Sequence, residues 1–269
     1  MPGAVAPVRD ALCAAEDALR AAGCDTPRLD AELLIAHALG VEREALFLSP
    51  DCGVPPAAAR RAMELVRRRV AREPVAYILG VKGFRHIDLR VDSRVLIARP
   101  ETELLVELAL QLPHGARVHD VGTGSGAVAL ALKQERPDLA VSASDASPAA
   151  VEVARANAAA LGLEVPVSGA VGLPPGEYDM VLANLPYVRE DEWPGLAPEI
   201  TRYEPREALV SGADGLDAIR ALAAEAPSGT RLALEHAPAQ AGAVRSLLRE
   251  AETHRDLAGR ERVTVGRAP

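Results

Sequence analysis

From Arg117 to the C-terminus the chain switches repeatedly between two hydrophobic periods, and few folds satisfy that pattern. The runs "RVHDVG", "LAVSASD", "YDMVLAN", "TRLALEH" and "RVTVG" are short and apolar, whereas the stretches after Ala127 and Pro148, near Asp214 to Ala226 and near Ala239 to Glu250 carry helical spacing. Strands alternating with helices predict a doubly wound α/β sheet that holds its ligands at the carboxyl ends of the strands. Residues up to about Glu73 read as wholly helical. Thr26-Pro27 offers an N-cap and a first-turn proline, Leu29, Leu33 and Leu34 follow, and Leu39-Gly40 stops that helix. Beyond Glu73-Pro74, Ile87, Leu89 and Val91 alternate with polar residues like a half-buried hairpin. The expected organisation is a small all-α domain over residues 1–74 and an α/β domain over 75–269, entered through a hairpin or linker at about 75–98. With only two Phe, one Trp and four Tyr in 269 residues, the core must be built from Ala, Leu and Val.

Composition excludes several classes. No run of about 18 apolar residues occurs, and the N-terminus lacks a basic stretch followed by an apolar one, so a soluble, cytoplasmic protein without membrane contact is expected. Cys13, Cys24 and Cys52 lack Cys-x-x-Cys spacing and read as reduced thiols, and six scattered His residues give no metal-ligand pattern. A net charge of -8 argues against broad phosphate-backbone binding, so direct nucleic-acid binding is not expected. The oligomeric state is open, with a monomer as the working expectation. One basic cluster stands out, because Arg60, Arg61, Arg67, Arg68, Arg69 and Arg72 gather where Met63, Val66 and Val70 recur at helical spacing. It reads as an amphipathic helix with a solvated basic face, and the sharper alternative is a docking surface for an acidic protein or RNA.

The first chemical motif is "HDVGTGSGAVALAL", His119 to Leu132. Gly122, Gly124 and Gly126, with Thr123 and Ser125 between them, follow an apolar strand and open a helix. Backbone there can approach a ligand closely, and N–H groups at the helix start can face it. The spacing differs from the G-x-G-x-x-G dinucleotide fingerprint. The next strand ends in Asp145, placed to accept hydrogen bonds from two ribose hydroxyls, and Asp120 ends the first strand, where it can hold an ammonium directly or through water. Each Asp also has an ordinary role as a turn or cap residue. Loop and acids together favour an adenosine-bearing ligand, and the loop spacing favours S-adenosylmethionine over NAD.

The second motif is "VLANLPYVRE", Val181 to Glu190. Asn184 sits at the end of a later strand on the same rim, and Pro186 restricts Leu185 to extended geometry, so backbone carbonyls stay free to accept. A planar NH2 group can donate one hydrogen to the Asn184 side-chain oxygen and one to the Leu185 carbonyl, with Tyr187 against its plane. That geometry suits methylation of an amide or amino nitrogen by in-line displacement. The bland reading is a strand-ending turn with Tyr187 in the core. No general base is evident, which leaves positioning and electrostatics as the catalytic terms.

Taken together, "EPVAYILGVKGF" (Glu73 to Phe84), "VLIARPETELLVE" (Val95 to Glu107), the glycine motif, "NLPYV", "RYEPREALVSGADGLDAIR" (Arg202 to Arg220), "LALEH" and "RERVTVGR" resemble the protein-(glutamine-N5) methyltransferases that act on peptide chain release factors. The resemblance covers nearly the whole chain. It implies a small N-terminal helical domain for substrate-protein recognition before a Rossmann-like class I methyltransferase domain, with S-adenosyl-L-methionine as cofactor. The implied substrate is the glutamine of the Gly-Gly-Gln loop of class 1 release factors. Carried over by position, Asp120, Gly122, Thr123, Gly124, Ser125, Gly126, Asp145 and Asn184 would hold the cofactor, Asn184, Leu185, Pro186 and Tyr187 would clamp the glutamine amide, and Arg99 to Glu103 would line the cofactor side. Three positions depart from the family pattern: Leu185 and Ala98 each replace a proline, and "VSGAVG", Val167 to Gly172, lacks an acidic residue followed by an aromatic. The runner-up readings are an RNA adenine-N6 methyltransferase, whose motif Asn-Leu-Pro-Tyr also resembles, and a divergent S-adenosylmethionine-binding member with weak or altered activity.

Overall fold

A computed structural model describes residues 6–269. The chain divides into two compact units, one ending at Gly80 and one beginning at Val81.

The first unit holds α1 (Val8–Ala21), α2 (Pro27–Leu39), α3 (Ala45–Leu48), α4 (Pro56–Val70) and α5 (Val75–Leu79). Leu12 and Leu19 of α1, Leu34 and Ile35 of α2, Leu65 of α4 and Ile78 of α5 share one core. The expected break at Glu73-Pro74 therefore falls too early: Pro74 caps α5, whose Ile78 is buried with the preceding helices. The arginine helix also differs from expectation. Its inward face is Ala62, Leu65 and Arg69, while Met63 stays 66% exposed. Arg69 Nε donates to Asp30 Oδ2 at 2.7 Å with both groups buried, and leaving one of them unpaired would cost about 3–5 kcal/mol. Arg67 pairs with Glu64, Arg68 with Glu73, and Arg72 donates to the Gly23 carbonyl at 2.6 Å. Most of the expected basic face is hydrogen-bonded inside its own unit.

The second unit opens with an antiparallel hairpin, β1 (Val81–Phe84) and β2 (Ile87–Arg90). Then follow α6 (Glu103–Ala109), β3 (Arg117–Val121), α7 (Ala127–Glu135), β4 (Ala140–Asp145), α8 (Pro148–Leu161), β5 (Val167–Gly169), β6 (Met180–Ala183), α9 (Pro198–Tyr203), α10 (Asp217–Glu225), β7 (Arg231–Glu235), α11 (Ala241–Ser246), β8 (Arg249–Arg255) and β9 (Glu261–Arg267). The sheet order is β5-β4-β3-β6-β7-β9-β8, parallel from β5 to β7 and antiparallel at β9 and β8. Every residue of β6 is buried, which is why "MVLA" reads as an unbroken apolar run. Because β3 has β4 on one side and β6 on the other, the loops leaving these strands diverge and open a crevice.

The helix expected near Ala239 to Glu250 ends at Ser246, and Arg249–Arg255 is a strand. "REAETHR" carries no apolar alternation because β8 is a largely exposed edge, a place where charged residues discourage unwanted pairing. Among the described residues no helix is long and apolar enough to cross a membrane, and no cluster of His, Cys, Asp and Glu could hold a metal ion. Among the described residues Cys13, Cys24 and Cys52 form no disulfide, and the Cys24 thiol donates to the Arg69 carbonyl at 3.8 Å.

Candidate active site

The crevice contains a cavity of about 210 Å³ at the carboxyl ends of the strands. Its walls come from Gly122 and Gly124 after β3, Asp145 to Ser147 after β4, Ala170 and Gly172 after β5, and Asn184 to Pro186 after β6. Arg94 to Leu96 and the segment Pro205 to Ala208 complete it. A smaller pocket of about 20 Å³ adjoins, and Leu96, Asn184, Leu185 and Ala208 line both.

The three glycines of the loop do three different things. All have positive φ, which favours glycine. A Cβ on Gly124 would meet nothing within 4 Å, so this backbone is open to a ligand. A Cβ on Gly122 would lie 2.9 Å from Leu185 Cδ2, and one on Gly126 would lie 2.7 Å from Leu130 Cδ1. Gly122 therefore admits Leu185, and Gly126 lets α7 pack closely on its own loop.

Four of the loop N–H groups turn into the protein and not toward a ligand. Gly122 and Thr123 donate to the Ser144 carbonyl at 2.9 and 3.0 Å, Gly124 donates to Asp145 Oδ2 at 2.8 Å, and Gly126 donates to the Thr123 carbonyl at 2.9 Å. These amides are committed within the protein, so the loop is no cradle for a pyrophosphate.

Asp145 accepts from Gly124 through Oδ2 and from Ser147 through Oδ1, both at 2.8 Å. Ser147 in turn caps α8 by accepting from Ala150. Each Asp145 oxygen keeps a lone pair, and the residue lines the cavity, so the helix-cap role and a ribose-binding role coexist. Asp120 is placed otherwise. It is 2% exposed, does not line the cavity, and accepts from Thr123 Oγ1 at 2.6 Å. Burial pushes its pKa up to about 7, opposed by the Thr123 hydroxyl and the Ala129 amide and assisted by the charge of Asp145. Thr123 and Ser125 are likewise buried, and neither lines the cavity.

Asn184 Nδ2 donates to Thr102 Oγ1 at 3.0 Å, which leaves Oδ1 without a protein partner among the described residues. Tyr187 is held at both ends. Its hydroxyl donates to Glu235 Oε1 at 3.1 Å, and its carbonyl accepts from Gln240 Nε2 at 2.9 Å. Burial, with the adjacent Glu235 charge, raises its hydroxyl pKa and keeps it a donor. The exit from β6 then runs beside residues 209–212, with Val188 donating to Leu209 at 2.8 Å and Ser211 donating to Val188 at 2.9 Å.

Arg99 to Glu103 does not line the larger cavity, which Arg94 to Leu96 line instead, and of that stretch Arg99 alone lines the smaller pocket. Arg99 also donates to Glu204 Oε1 at 2.6 Å, and Glu204 Oε2 accepts from the Ile97 amide at 3.2 Å. Glu204 is the first acid of "RYEPREAL", and it clamps the segment that Ala98 leaves without a second proline. The sequence placed Thr102 only within a stretch lining the cofactor side and gave Glu204 and Glu235 no role; the only available signal was an acid or hydroxyl inside a run otherwise apolar or proline-bound.

Fold and crevice together define a Rossmann-like methyltransferase that uses S-adenosylmethionine. Models of the PrmC N-terminal domain and of the methyltransferase small domain match residues 10–80 and 99–208. Proteins named release factor glutamine methyltransferase align along almost the whole length: that of Xylella fastidiosa is 45% identical over 90% of this chain and 94% of its own, and that of Cereibacter sphaeroides 44% identical over 97% and 98%. The chain belongs to the release factor glutamine methyltransferase family. Among solved structures, the hMettl16 catalytic domain, in complex with the MAT2A 3'UTR hairpin 6, superposes with a TM-score of 0.52 at 14% identity, covering 79% of this chain and 81% of that one. At that identity the likeness is one of fold alone.

Proposed function

We propose that this protein transfers a methyl group from S-adenosylmethionine to the side-chain amide nitrogen of the glutamine in the Gly-Gly-Gln motif of class 1 peptide chain release factors. The observation that carries this reading is the Asn184 amide, whose nitrogen is committed to Thr102 while its oxygen is left to accept. Relatives named for this activity at 40–45% identity support it.

The residues around the larger cavity fit the cofactor. Gly124 presents open backbone, Asp145 keeps acceptor capacity for a ribose, and Val95, Leu96, Ala146, Ala150 and Ala170 give an apolar bed for a purine. Loop amides committed within the protein suit a ligand that brings no phosphate. Bound there, S-adenosylmethionine supplies a methyl group on a positively charged sulfur. The chain's own part is to present the nucleophile. An amide nitrogen is a poor one because its lone pair is delocalised, so orientation counts for much. Asn184 Oδ1 and the Leu185 carbonyl accept the two amide hydrogens where the two cavities adjoin, and Tyr187, fixed through Glu235, walls the smaller one. Asp120 acts from beneath as the support of the glycine loop and not as a direct ligand.

In this reading the helical unit recognises the substrate protein, and exposed Phe47, Leu48 and Met63 offer it apolar contacts. The net charge of -8 favours a protein over a nucleic-acid acceptor, and the reaction belongs in the cytoplasm with its substrate. Methyl transfer to a purified class 1 release factor, with mass spectrometry locating the added mass, beside a parallel reaction on ribosomal RNA, tests this. Methyl on the motif glutamine is expected; label on RNA alone would replace it with the adenine reading.

A further inference from the structure

We propose that Thr102 and Glu235 are positioning residues for this reaction: together they determine which end of the Asn184 amide faces the substrate. The inference rests on the functional reading above and adds to it the control of polarity.

A carboxamide can turn over and exchange its oxygen for its NH2 group with little change of shape, and only its hydrogen-bond partners decide between the two. Asn184 Nδ2 donates to Thr102 Oγ1 at 3.0 Å, so Thr102 serves as acceptor and its own hydrogen must go elsewhere. Thr102 is 3% exposed, which rules out water as the general recipient. It faces the carboxyl of Glu235, which ends β7, is 0% exposed, and accepts the Tyr187 hydroxyl on Oε1 at 3.1 Å. Oε2 closes no hydrogen bond of its own.

An ionised carboxylate only accepts, so the unfilled Oε2 is the acceptor toward which the Thr102 hydrogen can turn, and polarity then runs in one direction, from Asn184 through Thr102 to Glu235. A neutral group at 235 reverses it. A donor on the Oε2 side would occupy the Thr102 oxygen and turn the Thr102 hydrogen toward Asn184. The Asn184 amide would then swing its oxygen to Thr102 and show NH2 to a substrate that also brings NH2. Two donors would meet where a donor and an acceptor are needed.

Burial pushes the Glu235 carboxyl up to about 7. Facing it, the hydroxyls of Thr102 and Tyr187 and the positive charge of Arg262 from β9 favour ionisation, and the negative charge of Glu101 opposes it. Arg262 Nε is itself buried without a partner, so the guanidinium acts on the carboxyl as a nearby charge. Since the ionised form is the productive one, turnover is lost as pH falls through about 7.

The test compares wild type with Thr102→Val, Thr102→Ser and Glu235→Gln in the full chain. Turnover, KM for the release factor and the cofactor dissociation constant are measured from about pH 6 to 9, and NMR follows the Asn184 side-chain NH2 resonances. Thr102→Val is expected to lose at least about tenfold in turnover with the cofactor constant within about twofold, and Thr102→Ser to stay within about threefold. Glu235→Gln, which conserves shape, should lose as much and lack the wild-type fall in turnover below about pH 7. The Asn184 resonances should move in Thr102→Val and Glu235→Gln but hold in Thr102→Ser. Turnover within about threefold of wild type in both variants, or unmoved resonances, overturns the proposal. If wild type itself transfers no methyl to a release factor, the functional reading fails, and the resonances alone still decide the polarity. Should Thr102→Val fold poorly, Glu235→Gln carries the decision.

Discussion

Two buried carboxyls lie behind the same rim of strands, and they are tied down in opposite ways. Asp120 ends β3 and Glu235 ends β7, and burial pushes each to a pKa of about 7. Asp120 is anchored by Thr123, three residues further along its own loop, at 2.6 Å. Glu235 is anchored by Tyr187, from the exit of another strand, and faces Thr102, from a short helical turn before α6. The first is a local knot that shapes one loop. The second draws three distant segments to a point, so a change at any of them reaches the others.

If the contrast is sound, damage on the β6–β7 side should appear in turnover and damage on the β3–β4 side in cofactor binding. The largest effect is expected from Asn184→Ala, with turnover reduced by roughly 10³-fold and the cofactor dissociation constant unchanged by calorimetry. Retained turnover would break the comparison outright. Asp145→Ala should instead raise the cofactor constant by about 10- to 100-fold, as lost charge-assisted hydrogen bonds predict, with turnover at saturating cofactor close to wild type. A pH experiment sharpens the local side. An acid whose folded pKa is raised binds more protons in the native state than when unfolded, so between about pH 4 and 7 stability falls as pH rises, by at most about 1.4 kcal/mol per pH unit for each such group. Asp120→Asn should flatten urea-measured stability over that window by up to about 4 kcal/mol, while the slope due to Glu235 persists. The smallest effect is expected from Leu185→Pro, which stiffens the exit from β6: a gain in loop order of about 0.4–1 kcal/mol, read as a two- to fivefold change in turnover at most.

The same contrast explains what could be read in advance. The alternation of strands and helices, the glycine loop, Asp145 and Asn184 were legible because each depends on neighbours in sequence: an apolar run, then a turn, then a helix. Their meeting at one cavity follows from strand order alone. Glu235 was visible only as the acid of "LALEH", since nothing nearby in sequence says that Tyr187 and Thr102 will surround it. Arg69 misled for a related reason. It belongs to a run of arginines and reads as solvated, yet Asp30 on α2 draws it into the core. Strand β8 was missed because an exposed edge needs no apolar alternation, and its pairing with β9 is fixed only once the hairpin forms.

The contact between Gly122 and Leu185 bears on the routes by which such a chain can evolve. A methyl group at 122 would sit 2.9 Å from Leu185 Cδ2, on a backbone whose φ of +73° already disfavours any other residue. An alanine arriving at 122 would have to turn the end of the leucine side chain aside and also hold a backbone that strains it, and substitution at 185 relieves only the first of these. The leucine can therefore drift while the glycine beneath it stays, because the constraint that outlasts any change at 185 lies in the backbone of 122 itself.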